Sequence, residues 1–210
     1  MSAEDVSHAI IDNRALAVIR AASADEAVAY SREIIRGGMR VVEVSFNTPD
    51  TVAAIRDLAA IPGAIIGAGT VRTRAQVDQV VDAGAVFMVT PHTDRELVSY
   101  AVSAGLVVGS GVMTPTDCAV SLDAGAQFLK LFPANIAGIE AMKAYSQPFP
   151  EARWIPTGGI GTHNMLEWLA AGASAVGLGS ELTASGVEQA AAKAANVMDT
   201  LTRAPGDGQR

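Results

Sequence analysis

Cysteine is almost missing from this sequence: Cys118 is the only one. An intrachain disulfide is thereby excluded, which fits a reducing compartment. Basic clusters are missing too, and the formal net charge is −7. Without a basic patch, neither nucleic acid nor an anionic membrane surface is an expected partner. No charge-free apolar run reaches the ~18 residues of a membrane-spanning helix. The opening MSAEDVSHAIID is acidic and polar where a secretory signal would be basic and then apolar. A soluble cytoplasmic protein is the expectation. The three histidines, His8, His92 and His163, have no metal-ligand spacing, and Cys118 has no partner, so no metal site is expected.

What is present is a repeat. Half of the 210 residues are apolar, and the length suits one domain with a large core. A short apolar run, a turn, an amphipathic stretch and an AG or GG dipeptide recur along the chain. The runs are LAVIR (16–20), VVEVS (41–45), IIGAG (65–69), VFMVT (86–90), LVVGSG (106–111), FLKLFP (128–133), RWIPT (153–157) and AVGLG (175–179). Helical spacing marks 25–36, 73–83, 94–104, 116–124, 162–171 and 187–203. Gly63, Gly84, Gly105 and Gly125 each precede a run, where a left-handed helix C-terminus is expected. Ser23, Thr73 and Thr162 stand at N-cap positions, and Pro49 and Pro115 in first turns. Eight alternating units predict a single-domain (β/α)₈ TIM barrel over 1–203, with 204–210 as a frayed tail. The alternative is a doubly wound open sheet, although the first strand-to-helix turn lacks a glycine-rich dinucleotide fingerprint.

In such a barrel the chemistry sits at the C-terminal ends of the strands. Lys130, one of three lysines with Lys143 and Lys193, is centred in AQFLKLFP between two leucines. Strand alternation puts it on the inward face with Phe128 and Phe132. A desolvated amine there is nucleophilic near neutral pH; the alternative is a structural ion pair. Glu43, flanked by Val42 and Val44, faces inward with Val41 and Ser45. It acts either as a general acid and base or as a salt-bridge partner of Lys130 or Arg20. Arg20 and Thr70 close their runs and suit an anionic ligand, or else are an ordinary strand-end charge and a capping hydroxyl. The glycine-rich turns TGGIGT (157–162) and GLGS (177–180) follow the last two runs, where barrels bind phosphate. His92 lies near the expected mouth, and Cys118 reads as packing.

The segments VVEVSFNTP, IGAGTV, FMVTPH, LKLFPA and PTGGI resemble the KDPG/KHG aldolase family over about 15–180. The resemblance implies a class I aldolase that cleaves 2-keto-3-deoxy-6-phosphogluconate (KDPG), its galactonate epimer or 4-hydroxy-2-oxoglutarate. It implies Lys130 as the Schiff-base lysine and Glu43 as the acid–base residue. Thr70, Pro91 and Phe132 would shape the pyruvate end, and Gly158, Gly159, Gly179 and Ser180 would hold phosphate. It further implies a cytoplasmic homotrimer with no metal and no organic cofactor. Asn47 stands where gluconate-type members carry Arg, a feature similar to the galactonate branch; Arg20 would then recognise the keto-acid carboxylate. Other phosphosugar isomerase or epimerase barrels, and a non-catalytic phospholigand-binding barrel, share the phosphate turns without needing an interior lysine.

Overall fold

A computed structural model describes residues 1–203; the expected tail at 204–210 lies outside the described residues. Seven parallel strands form one sheet: β1 (Ala15–Ile19), β2 (Val41–Ser45), β3 (Ile65–Gly69), β4 (Phe87–Val89), β5 (Val107–Val112), β6 (Phe128–Leu131) and β7 (Val176–Leu178). Their order is β6-β5-β4-β3-β2-β1-β7. The helices α1 (Ala3–Asn13), α2 (Ala24–Arg36), α3 (Thr51–Ala59), α4 (Arg74–Asp82), α5 (Arg95–Ser103) and α6 (Pro115–Asp123) alternate with the strands. After β6 come α7 (Ala134–Ser146) and α8 (Met165–Ala170), and after β7 come α9 (Ser180–Thr183) and α10 (Val187–Arg203).

Both faces of every strand are buried, and alternation divides their side chains into two separate clusters. Ala17, Val42, Ala68, Met88, Val108, Leu129 and Leu178 pack against the helices. Leu16, Val41, Ile65, Phe87, Val107, Phe128 and Ala175 meet each other on the opposite, concave face. Val6 and Ile10 of α1 join this inner cluster, so α1 lies across the N-terminal ends of the strands. Its start is fixed by a reciprocal cap: Asp5 N–H donates to Ser2 Oγ (3.1 Å), and Ser2 N–H donates to Asp5 Oδ2 (2.9 Å).

Four local expectations need correction. The expected strand at 153–157 is reduced to isolated bridges, Leu129 with Trp154, Trp154 with Ala173 and Thr157 with Gly177. Pro156 lies inside it and has no N–H for a ladder. The segment is nevertheless held on both sides: Thr157 N–H donates to Leu131 O (3.0 Å), and Gly177 N–H donates to Pro156 O (2.9 Å). Thr162 is not an N-cap, because α8 begins after Asn164, and the Thr162 hydroxyl donates instead to Glu181 Oε1 (3.3 Å). Pro49 precedes α3 rather than entering its first turn; the cap is Asp50, with φ 52°. Gly63 is set back from the end of α3, whose cap is Ala60. Gly84, Gly105 and Gly125 do follow directly on helix caps, at φ 90°, 87° and 93°. Ser23 and Thr73 cap α2 and α4, and Pro115 opens α6.

Candidate active site

The register of β2 and β3 creates the space for the buried charges. Glu43 stands opposite Gly67, and Ser45 opposite Gly69. A methyl group on Gly69 would overlap the Glu43 carboxylate, and one on Gly67 would overlap the Phe87 ring. Gly69 therefore leaves the volume that the Glu43 side chain fills, and Gly67 the volume for the Phe87 ring. Glu43 is 1% exposed, and its Oε2 has no hydrogen-bond partner among the described residues. Burial pushes this carboxyl above its ordinary range, although the positive charges of Lys130 and Arg20 act the other way.

Lys130 is 4% exposed, and its Nζ lies 5.1 Å from the centre of the Phe132 ring. Burial pushes the amine below its ordinary range; Glu43 opposes that shift and Arg20 reinforces it. Among the described residues the ion pairs are Arg36–Glu33, Arg74–Glu96, Arg95–Asp123 and Lys143–Glu140. None joins Lys130 to Glu43, so the structural ion-pair alternative finds no support. The two groups feel each other's charge without direct contact, and burial disfavours the charged form of each. Of the other lysines, Lys143 is exposed and Lys193 half-buried.

Arg20 follows β1 directly and is exposed. It lines a cavity of ≈ 300 Å³ with Phe132, Gly158, Gly159, Gly179 and Ser180, and also with Val18, Thr157, Ile160, Gly177 and Thr183. This brings the two glycine-rich turns, one cation and the ring beside Lys130 into one space. A more open hollow of ≈ 770 Å³, between the first turns of α2 and α3, contains none of the expected site residues.

Thr70 follows β3 with φ 59°, a left-handed conformation rarely adopted by a β-branched residue. Its Oγ1 lies 2.8 Å from Ser45 Oγ, which in turn lies 3.0 Å from Asn47 Oδ1. Pro91 is held against β5: a methyl group on Gly111 would overlap the Pro91 and His92 backbone. Thr90 fixes that corner by accepting from Gly111 N–H (3.0 Å) and donating to His92 O (2.6 Å). His92 is exposed, and Cys118 is buried with its thiol pushed up to about 11, as suits packing. Among the described residues no group of three or more His, Cys, Asp and Glu is placed to hold a metal, and no helix is long and apolar enough to cross a membrane.

Sequence reasoning singled out neither Thr157 nor Ser45 as a site residue. Both are buried hydroxyls on the concave face, and alternation from Ile155 would have flagged Thr157.

The family model for KDPG and KHG aldolase matches residues 6–198. The chain belongs to this family. Its members are carbon–carbon lyases. The chain is 36% identical over 185 residues to 2-dehydro-3-deoxy-6-phosphogalactonate aldolase of Escherichia coli, covering 86% of this chain and 90% of that one. It is 37% identical over 136 residues to 2-dehydro-3-deoxy-phosphogluconate aldolase of Zymomonas mobilis, covering 64% and 65%. Its fold matches KDPG aldolase of Legionella pneumophila with a TM-score of 0.78 at 29% identity, covering 91% of this chain and 95% of that one. In that structure pyruvate was captured at low pH as a covalent carbinolamine intermediate.

Proposed function

We propose that this aldolase uses Lys130 as a Schiff-base nucleophile to cleave a 2-keto-3-deoxy-6-phospho sugar acid to pyruvate and glyceraldehyde 3-phosphate. The observation that carries the reading is a buried lysine on the concave face, in an ion pair with no carboxylate among the described residues. A neutral amine attacks the C2 ketone; the carbinolamine hydroxyl takes a proton from the Glu43 carboxyl and leaves as water, giving an iminium and a Glu43 carboxylate. Glu43, directly or through a water, takes the C4 hydroxyl proton. The C3–C4 bond then breaks, its electrons pass into the iminium, and the aldehyde leaves. Glu43 returns the proton to C3 of the enamine, and water hydrolyses the resulting iminium to pyruvate and free Lys130, the proton released going back to the Glu43 carboxylate. A carboxyl whose pKa is raised by burial suits both directions of transfer.

The two glycine turns, with Gly158, Gly159, Gly179 and Ser180, are read as the phosphate cradle. Arg20 lines the same cavity, which supports a share in neutralising phosphate besides recognising the carboxylate. Thr70, Pro91 and Phe132 bound the pyruvate end. Asn47 favours the galactonate epimer, because an amide both donates to and accepts from a hydroxyl. We read 153–157 as the eighth strand that closes the barrel, supported by its bonds to β6 and β7. A homotrimer in the cytoplasm, with no metal or organic cofactor, completes the reading.

Borohydride reduction in the presence of pyruvate, followed by peptide mapping, tests it. The adduct is expected on Lys130, with both adduct and turnover lost in Lys130→Ala. An adduct on Lys143 or Lys193 would overturn the assignment.

A further inference from the structure

Ser45 is fully buried at the end of β2, and its hydroxyl has three neighbours within hydrogen-bond reach. Asn47 N–H donates to it at 3.3 Å, the Asn47 side-chain amide lies at 3.0 Å and Thr70 Oγ1 at 2.8 Å. The Ser45 backbone is held in place: its carbonyl accepts from Thr48 N–H (2.8 Å), and Thr51 Oγ1 lies 2.8 Å from it, sharing its one proton with Thr48 O (2.6 Å). A serine hydroxyl has one proton and two lone pairs. Asn47 N–H takes one lone pair, which leaves one donor and one acceptor for Thr70 and the Asn47 amide.

Two arrangements saturate all three groups. In one, Ser45 donates to Asn47 Oδ1 and accepts from Thr70, so Thr70 can only accept from a ligand while the amide presents its NH₂. In the other, the amide is turned over and donates to Ser45, and Ser45 donates to Thr70. The Thr70 proton is then free for a ligand, and the amide presents its carbonyl. A turn of the Asn47 amide and a rotation of two hydroxyls interconvert them without moving the backbone.

We propose that Ser45 is a positioning residue that couples the two ends of the substrate, by tying the direction in which Thr70 hydrogen-bonds to the face that Asn47 presents. The inference rests on the functional reading above, with Thr70 at the pyruvate end and Asn47 near the C4 hydroxyl. An anionic keto acid at Thr70 needs a donor there and selects the second arrangement. Asn47 then offers a carbonyl to accept from a hydroxyl of the aldehyde half other than the C4 hydroxyl, whose proton goes to Glu43. The pyruvate half of the substrate thus sets the hydrogen-bond polarity that its aldehyde half meets.

A mutant cycle on the full-length enzyme tests this. kcat/KM for the phosphogalactonate-derived substrate is measured for the parent, Thr70→Val, Asn47→Ala and the double variant, and again in the Ser45→Ala background. With Ser45 present, the double variant is expected to depart from the product of the single effects by about five-fold or more. In the Ser45→Ala background the departure is expected to fall within about two-fold, the scatter of independent sites. Ser45→Thr keeps the hydroxyl and is expected to preserve the coupling. Additive effects in the parent, or coupling that survives Ser45→Ala, would overturn the relay. If Ser45→Ala does not fold, Ser45→Cys, a much weaker hydrogen-bonding group of similar size, replaces it under the same criteria. Borohydride trapping separates the two readings. A parent that forms no pyruvate adduct on Lys130 defeats the aldolase mechanism and the relay together; a parent that forms it and cleaves, without Ser45-dependent coupling, defeats the relay alone.

Discussion

At Glu43 catalytic usefulness and stability oppose each other. Its carboxyl is raised by burial, so the folded chain holds the proton more tightly than the unfolded chain does. As pH rises through the ordinary value of 4.5 and then through the higher folded one, the unfolded chain ionises first and stability falls. Glu43→Gln is therefore expected to melt above the parent at pH 8, with the gap closing as pH falls below 4.5. Thermal melts across that range measure it, and an equal gap at all pH values would show that desolvation is not the cause. The same variant is expected to turn over about 10²- to 10⁴-fold more slowly, the usual loss for an acid–base group. Turnover within a few-fold of the parent would make Glu43 structural. Glu43 and Lys130 were legible in the sequence because a charge inside an apolar run is costly unless it has a partner or a task. Ser45 and Thr157 were not, since a hydroxyl in a strand is as often core as site, and only packing tells which.

Among the elements, β2 and β3 lie where their apolar runs are, residue for residue. Strands covered on both faces leave few polar positions to blur a boundary. The 153–157 run was harder, because its valence for pairing is broken by Pro156, which no count of apolar residues registers. The N-cap near 162 was misplaced because α8 begins after Asn164 with no side-chain cap bond; the Asn164 side chain instead accepts from Gly161 N–H and donates to Gly159 O, bonds that no count of capping residues registers. Helix α1 was not anticipated at all: among its eleven residues the buried ones are Val6, Ser7 and Ile10, too few for a clear periodic signal. Its contribution is tested by Ile10→Ala, which is expected to cost about 2–5 kcal/mol of stability by leaving a cavity in the inner cluster. For a chain of this size each kcal/mol lowers Tm by about 2–4 °C. A shift under one degree would mean that α1 rests on the strands without supporting them.

At the scale of the whole molecule, catalysis is assigned to side chains alone. A chelator is accordingly expected to leave kcat unchanged; activity lost on chelation and restored by a divalent metal would point to a different class of aldolase. The sealing of one end by α1 has a kinetic consequence. Val6 and Ile10 sit among Leu16, Val41 and Phe128, so apolar packing fills that end. With the barrel closed as proposed, substrate, both products and the hydrolytic water would use the opposite end, and the pyruvate half, bonded to Lys130 in the proposed mechanism, would occupy the inner berth. The aldehyde half must depart first, and pyruvate last. Product inhibition should record that queue: pyruvate competitive with substrate, glyceraldehyde 3-phosphate noncompetitive. The reverse pattern would mean that the molecule has a back door.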